Sequence, residues 1–386
     1  MDQCSRRNFF YLAGAGALAG AASQGRIQAQ QEIPPAVPAM PIYPYEARSP
    51  VALLKGEDRR KNVTQALLAV DREIGPAIKR KKYVVIKINN VSTTNQLAAT
   101  HVDALRGILD YLEPRIKGPV VIVESSAGET LEGFENFKYA QVIPEYKRLQ
   151  ISLVDLNRER KYETFSIVDR NIRPIAVRLA ARMFDPDAYI ISSAMLKTHN
   201  AVVATMSVKN MVIGSPLHSV AGETPVWHDK RLYHAQPDFG PGAGRGAPPA
   251  GGRGRGGGGM GANFHAMNYS MAITAKKLSA NWGAALIDGY EGMEGNGPAG
   301  GTAVPMHIAI ASPDYMAADR VALETMGVPP HAVGYLQYAA QLGTGQFDLA
   351  KIDIRGEKPE SVRRVFKLHD QVQQQLDWLR DIQRPA

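Results

Sequence analysis

The sequence predicts an α/β fold: a mostly parallel sheet with helices on both faces and a ligand cleft at the carboxyl ends of the strands. Two observations predict it. Short apolar, β-branched runs alternate along the chain with stretches of helical periodicity. Polar side chains directly follow several of these runs, where an open α/β sheet binds its ligands. The predicted strands are 51–54, 83–88, 120–123, 151–154, 188–191, 284–287, 304–311 and 351–355.

Residues 1–29 have the layout of a twin-arginine export signal. Arg6 and Arg7 precede an apolar run of small residues, and Ile27-Gln28-Ala29 offers a cleavage site. The run is too short and too rich in Gly and Ala for a stable membrane span, although an uncleaved anchor stays an alternative. We therefore expect a periplasmic or extracellular protein that meets the twin-arginine export machinery and has no stable membrane insertion after processing.

Residues 30–50 are rich in proline and predict an extended linker to a folded body at 51–357. The predicted helices of that body are 62–74 (capped by Asn62), 101–112 (capped by Thr100), 138–148, 174–184, one that ends near Gly214, 263–278, 313–326 and 331–342. The charged tail 358–386 predicts an amphipathic helix whose apolar face holds Val365, Leu368, Val372, Leu376 and Leu379.

Residues 236–262 interrupt this alternation with a run of glycine and arginine. A segment with almost no large apolar side chains cannot offset its ordering entropy, so the composition predicts a disordered surface insertion. Arg-Gly repeats can bind RNA, but an exported protein rarely meets RNA, and no nucleic-acid partner is expected. The flanking His218, His228 and His234 could line the mouth of a site or be solvated.

The densest polar cluster follows strand 188–191. Lys197, Thr198, His199 and Asn200 stand in a row that core packing does not require. The following residues have a helical pattern, which would bring Lys209 and Asn210 close to the strand end. Gly214 stands at the position where a helix C-cap is expected. The alternative is an ordinary capped helix N-terminus with solvated lysine and histidine.

Other polar residues that end a strand or begin a helix could converge on the same rim. We interpret His199, His101 and Asp288 as candidate catalytic residues. The candidate ligand-binding residues are Lys87, Asn89, Lys197, Lys209, Asn210, Gly295, Asn296 and Gly297. The lysines and helix N-termini would suit a phosphate, sulfate or carboxylate group. Glycines allow close approach of a ligand to the backbone, although turns use them equally.

His199, His101, Asp288 and Glu124 would also make an acceptable nitrogen and oxygen site for a divalent metal. No local spacing such as His-Glu-x-x-His accompanies them, and histidines that act without metal are an equal alternative. The lone cysteine, Cys4, lies in the predicted signal, so the mature chain has no cysteine-ligated iron–sulfur cluster. The cofactor is otherwise unknown. For Asp314 and Asp319 we prefer a structural role.

Four ordered motifs resemble the family called domain of unknown function 362 (DUF362) and together span roughly residues 50 to 345. They are Lys197-Thr198-His199 with Lys209-Asn210 and Gly214; 84–89 with Thr100-His101; Asp288-Gly289 with Gly295-Asn296-Gly297-Pro298; and Ser312-Pro313-Asp314 with Asp319-Arg320. Some relatives carry an added ferredoxin-like segment, and this chain differs from those relatives in that respect. The resemblance implies a site more firmly than a reaction.

The sequence thus predicts an exported enzyme that acts on a small anionic or polar substrate through histidine, aspartate and lysine, with metal assistance as an option. The alternative is a periplasmic protein that binds a solute or cofactor in the same cleft without a reaction. A perturbed histidine pKa would favour the enzyme, and a ligand retained unchanged would favour the binding protein.

Overall fold

The computed structural model describes residues 33, 43–169, 171–218, 229–234 and 264–379. The predicted signal 1–29, most of the predicted linker and the predicted insertion 236–262 lie outside the described residues, so those predictions stay predictions. Within the described part, no helix is both long and apolar enough to cross a membrane.

One large sheet organises the described part of the chain, and its strands run in the order β11-β1-β10-β9-β7-β2-β3-β4, with β8 paired to β7. A separate hairpin joins β5 to β6. The strands are β1 Ser49–Lys55, β2 Tyr83–Lys87, β3 Val120–Glu124, β4 Ile151–Asp155, β5 Tyr162–Val168, β6 Pro174–Ala180, β7 Ala188–His199, β8 Val203–Thr205, β9 Trp282–Glu294, β10 Thr302–Ser312 and β11 Ile352–Gly356.

Most of the pairings in this sheet are parallel, as predicted. β2 is parallel to both β3 and β7, and β3–β4, β7–β9 and β1–β11 are parallel too. Antiparallel pairing is limited to β10 with its neighbours β1 and β9, and to β8 with β7.

Helices cover both faces of the sheet, which confirms the predicted fold class. They are α1 Arg59–Ala69, α2 Asp71–Lys79, α3 Val102–Leu112, α4 Thr130–Asn136, α5 Tyr139–Val142, α6 Leu156–Glu159, α7 Ser207–Gly214, α8 Asp229–His234, α9 Phe264–Ser279, α10 Tyr315–Met326, α11 Gly334–Gln341, α12 Pro359–Val362 and α13 Val372–Gln375. The core on one face contains apolar residues of α1, α2 and α3. The core on the other face contains those of α7, α9, α10 and α11.

The strand order reverses between β2 and β7. From β2 the chain passes to β3 and β4 on one side, and it then returns to β7 on the other side of β2. The helix that follows β2 packs on one face of the sheet, whereas the helix that follows β7 packs on the opposite face. The two connections therefore diverge and leave a crevice at the carboxyl ends of β2 and β7, the position where open α/β sheets bind ligands.

The predicted helix at 174–184 is wrong. Pro174–Ala180 is a strand in which residues from Ala176 to Leu179 alternate between more and less exposed, and Ala181–Phe184 is a short 3₁₀ turn. Its partner β5 was not predicted at all. The hairpin forms because the apolar residues Ile167, Val177 and Leu179 join the core that also contains α9, a tertiary contact that outweighs local periodicity.

The stretch after residue 191 also differs from the prediction. Strand β7 continues to His199 and turns back through β8, so Lys197 and His199 belong to a hairpin and not to a strand–helix junction. Helix α7 starts only at Ser207, where the Asp319 carboxylate accepts hydrogen bonds from the backbone N–H groups of Ser207 and Val208. This contact confirms a structural role for Asp319.

Two predicted caps are wrong, one by four residues and the other by one residue. Asp58, not Asn62, caps α1 by accepting a hydrogen bond from Lys61 N, and His101, not Thr100, caps α3. The structural reading of Asp314 is confirmed, because its side chain caps α10.

The tail does not form the predicted amphipathic helix. In its described residues, 358–379, the helices α12 and α13 are short, and Val365, placed on the predicted apolar face, is 77% exposed. Phe366 is buried instead, next to Gly292 of β9.

Candidate functional site

A cavity of about 550 Å³ opens in the crevice at the ends of β2 and β7. This volume suits a small-molecule ligand. The charged and titratable residues that line it are Lys87, Glu124, His199, Lys209, His218, Lys230, Arg231 and His234. Among the described residues of the lining, lysine and arginine outnumber the single carboxylate, Glu124, so this part of the lining is cationic.

The base of the cavity is a saturated network around Lys87, which is fully buried. Lys87 Nζ lies 2.6 Å from Glu124 Oε1 and donates to Ile88 O and to Asn210 Oδ1. An ammonium group has three N–H donors, and these contacts use all of them. Lys87, predicted as a ligand contact, therefore holds the base of the cavity together and has no donor left for a ligand.

The partners of Lys87 also use their hydrogen-bonding groups within this network. Glu124 also accepts hydrogen bonds from the backbone N–H groups of Asn90 and Ser125. Asn210 accepts from Asn89 Nδ2 and donates to Lys87 O and Ser192 Oγ. These contacts fix side chains of β2, β3, β7 and α7 relative to one another, and so fix the shape of the cavity floor.

Gly214 provides the space that Lys87 needs. A Cβ atom at this position would lie 2.3 Å from Lys87 Cε and 2.4 Å from Lys87 Nζ, closer than real contacts allow. Gly214 is the last residue of α7 and Ser215 is the C-cap, so the predicted C-cap role is wrong. The glycine is explained by close packing against a charged side chain.

Lys197 lies beneath the cavity and does not line it. Its Nζ donates to Asn89 Oδ1 at 2.6 Å and to Ala98 O at 3.0 Å. Burial and the nearby Lys209 lower the pKa of Lys197 to about 7. Lys197 thus orients Asn89, which does line the cavity and passes a hydrogen bond on to Asn210.

Lys209 differs from the other lysines of the site because its Nζ makes no hydrogen bond or ion pair with the residues that the structure describes. The side chain is only 5% exposed, yet it lines the cavity. Burial lowers the pKa of Lys209 to about 7. Lys230 donates to Ile213 O at 2.6 Å, and burial lowers its pKa to about 7 as well.

Two histidine rings stack at the cavity wall, with their centroids 6.1 Å apart. His199 Nδ1 accepts a hydrogen bond from Ala201 N, so the proton of the neutral ring is on Nε2. His234 Nδ1 lies 3.1 Å from Lys230 O and must donate to that carbonyl, which leaves Nε2 as an acceptor. Burial and the neighbouring Lys209 hold the pKa of His199 well below its usual range and lower that of His234 to about 4. One ring thus offers a donor and the other an acceptor at neutral pH.

His101 and Asp288 do not join the cavity. Asp288 follows Leu286 on the same face of β9, the face that packs against α1, whereas Lys87 follows Val85 on the opposite face of the sheet. Asp288 Oδ2 lies 3.4 Å from Arg59 Nε, and the charge of Arg59 also lowers the pKa of His101, after the larger effect of burial. His101 and Asp288 thus lie beside Arg59 and away from the cavity that His199 and Lys209 line.

The four residues considered as metal ligands are therefore not gathered. His199 and Glu124 line the cavity, while His101 and Asp288 lie near Arg59 on the other face of the sheet. Across the described ranges, no group of three or more His, Cys, Asp or Glu residues is arranged to hold a metal ion.

The loop that contains the predicted ligand contacts Gly295, Asn296 and Gly297 packs against the outside of the cavity wall. Gly297 packs so closely on strand β7 that a Cβ there would lie 2.2 Å from Thr198 O, and Asn296 Nδ2 donates to Asp370. Of this loop only Pro298, after a cis peptide bond, lines the cavity.

Lys230 and Arg231 were missed in the sequence. Both lie on α8, a helix of six residues. The stretches on either side of it, 219–228 and 235–263, lie outside the described residues. The sequence directly before Lys230 and Arg231 contains no run that was predicted as a strand, so the rule that places ligands at strand ends does not find them. The adjacent His234 was the available signal, as a titratable residue next to the glycine-rich segment.

Comparisons with known proteins identify a family and no activity. A family model described as a domain of unknown function (DUF362) matches residues 84–324, a range that contains all the residues lining the cavity. No curated protein matches the sequence. A crystal structure of a protein from Thermotoga maritima matches with a TM-score of 0.32 and 14% identity, over 43% of this chain and 40% of that one. A likeness this low carries no argument about fold or function.

Proposed function

The chain belongs to the DUF362 family, and we propose that it is an enzyme that acts on a small anionic substrate bound in the cationic cavity. The observation that carries this proposal is the unpaired Lys209 side chain, buried at the cavity wall without a counter-charge among the described residues. A buried ammonium group is costly unless an anion compensates it. A bound carboxylate or phosphate would supply that charge.

The histidine pair supports catalysis over simple binding. His199 presents Nε2–H and His234 presents an Nε2 lone pair, and both rings are neutral at pH 7 because burial lowers the pKa of each. A donor and an acceptor on one wall can polarise a substrate oxygen and accept a proton. Perturbed titratable groups in a cleft are typical of active sites.

A binding protein is the second candidate, and the saturated floor of the cavity favours it. Lys87, Glu124 and Asn210 form a rigid base that would hold a solute equally well. A solute recovered unchanged after long incubation with the protein would support this alternative.

We expect inorganic phosphate and citrate to raise the melting temperature of the protein, because a ligand that binds only the folded state stabilises it. Arg231→Ala should weaken the affinity for these anions about tenfold or more, because it removes one charge-assisted hydrogen bond to the bound anion. Titration calorimetry of both proteins measures this.

The matched control is Arg72→Ala. Arg72 is also an exposed arginine that lines a cavity, a groove of about 510 Å³ at α2. Binding that depends on Arg72 and not on Arg231 would place the anion in that groove and contradict the proposal, as would a melting temperature that no anion changes.

We propose further that the protein is exported by the twin-arginine route and acts in the periplasm or outside the cell. Arg6 and Arg7 before a short apolar run support this proposal. Replacing both by lysine should leave unprocessed precursor in the cytoplasm, detected by fractionation and immunoblotting. Normal export of the double variant would refute it.

A further inference from the structure

Lys209 is the cavity lysine whose amine has no partner in the part of the chain that the structure describes. Lys87 is held by Glu124, Ile88 O and Asn210, and Lys230 donates to Ile213 O. Lys209 lines the same cavity, is 5% exposed and has no hydrogen-bond or ionic partner among the described residues. A side chain so placed is either a charge that awaits an anion or an amine with a free lone pair.

We propose that the Lys209 amine is a nucleophile that forms an imine with a small carbonyl compound bearing a carboxylate or phosphate group. This inference rests on the proposed function, because the same cavity must hold the anionic group. Lys230 and Arg231 line the cavity and bind that group, while the carbonyl carbon meets Lys209.

Burial makes the amine available at neutral pH. It lowers the pKa of Lys209 to about 7, so close to half of the side chains are neutral there. Desolvation and neighbouring cations are the usual means by which a lysine becomes a nucleophile. Lys197 lies close enough for Lys209 to lower its pKa, so the two amines are electrostatic neighbours.

His199 supplies the second element of the site. Its Nδ1 is occupied by Ala201 N–H, so the neutral ring offers Nε2–H as a hydrogen-bond donor. Lys209 contributes to the lowered pKa of His199, which places the two side chains near each other. A neutral imidazole donor can polarise a carbonyl oxygen while an amine attacks the carbon.

The step balances without an oxidant or a reductant. Lys209 Nζ adds to the carbonyl carbon, and one N–H proton moves to the oxygen to give a carbinolamine. The C–O bond then breaks, the oxygen leaves as water after it takes up a proton from the Lys230 ammonium or from solvent, and a protonated imine remains. Addition of water reverses both steps and frees the amine.

The test is reductive trapping of the folded wild-type protein. Pyruvate or pyridoxal 5′-phosphate is added with sodium cyanoborohydride at pH 7, and the adduct is located by peptide mass spectrometry. We expect one dominant adduct, on Lys209. Its rate of formation should rise through a midpoint near pH 7, whereas solvated lysines react with a midpoint of about 10.4.

Two variants complete the design. Lys209→Arg keeps the charge and should lose the adduct. Lys82→Arg, at an exposed lysine outside the cavity, should keep the adduct; circular dichroism and melting confirm that both variants are folded. Wild-type mapping decides the question even when a variant does not fold. A dominant adduct on another lysine, or equal labelling of many exposed lysines, overturns the proposal.

Failure of this proposal is distinguishable from failure of the proposed function. Phosphate binding that depends on Arg231, together with no adduct on Lys209, retains the anion site and rejects the imine. Conversely, an adduct on Lys209 that citrate does not slow, in a protein that phosphate does not stabilise, retains the nucleophile and rejects the anion site.

Discussion

Lys87→Met should lower the free energy of unfolding by about 3–5 kcal/mol, because it leaves the buried Glu124 carboxylate without its cation. Lys87 is 0% and Glu124 3% exposed, so water cannot replace the lost partner. Two backbone N–H groups still donate to Glu124, which limits the loss. Urea unfolding followed by circular dichroism measures the change.

A double-mutant cycle isolates the pair. Glu124→Gln should also destabilise the protein, and the variant that combines it with Lys87→Met should lose less than the sum of the single losses, since neither charge is then left alone. Lys82→Met is the control, because Lys82 pairs with Asp187 at 77% and 46% exposure. Such an exposed pair contributes about 0–1 kcal/mol. Equal losses for Lys87→Met and Lys82→Met would contradict the structural role assigned to Lys87.

The sequence alone could not predict this structural role of Lys87. A lysine at the end of a buried strand predicts a ligand contact, because ligands sit at strand ends. Whether its donors are free depends on Asn210, which is 123 positions away in the chain. The position of Lys87 at a strand end was predicted correctly. The number of its N–H donors already in use could be counted only in the folded structure.

The edge of the sheet gathers only some of the residues that were predicted to form one site. Lys87, Glu124, His199, Lys209 and Asn210 do line one cavity. Asp288 ends an apolar run equally clearly, but its side chain shares a face with Leu286 and meets Arg59. The apolar runs show that both faces are buried and do not show which helices cover each face.

The error at 174–184 has a related cause. Pro174–Ala180 is too short for its periodicity to separate strand from helix, and its pairing with Tyr162–Val168 depends on a turn between them. The parallel strands were easier to predict, because their apolar, β-branched runs are continuous, whereas Arg178 interrupts the apolar residues of Pro174–Ala180.

Between pH 7 and 9 the folded protein should become more stable as the pH rises. Burial lowers the pKa of Lys197, Lys209 and Lys230 to about 7 in the folded state. An unfolded chain restores the ordinary lysine value of about 10.4. In this window the unfolded state therefore binds more protons, and the free energy of unfolding rises with pH. Each such lysine contributes up to about 1.4 kcal/mol per pH unit.

Lys209→Met should reduce this dependence on pH and stabilise the protein most at pH 6. At that pH the wild-type side chain is a buried ammonium group without a partner among the described residues. The quantity to measure is the difference in unfolding free energy between variant and wild type at pH 6, 7, 8 and 9, and it should shrink steadily as the pH rises. Lys82→Met is again the control, since its exposed amine does not lose its proton in this window and its difference should stay constant. A constant difference for Lys209→Met would mean that Lys209 keeps an ordinary pKa. A methionine that stabilises the fold and abolishes imine trapping would show that the wild-type protein retains a destabilising lysine because its function requires the amine.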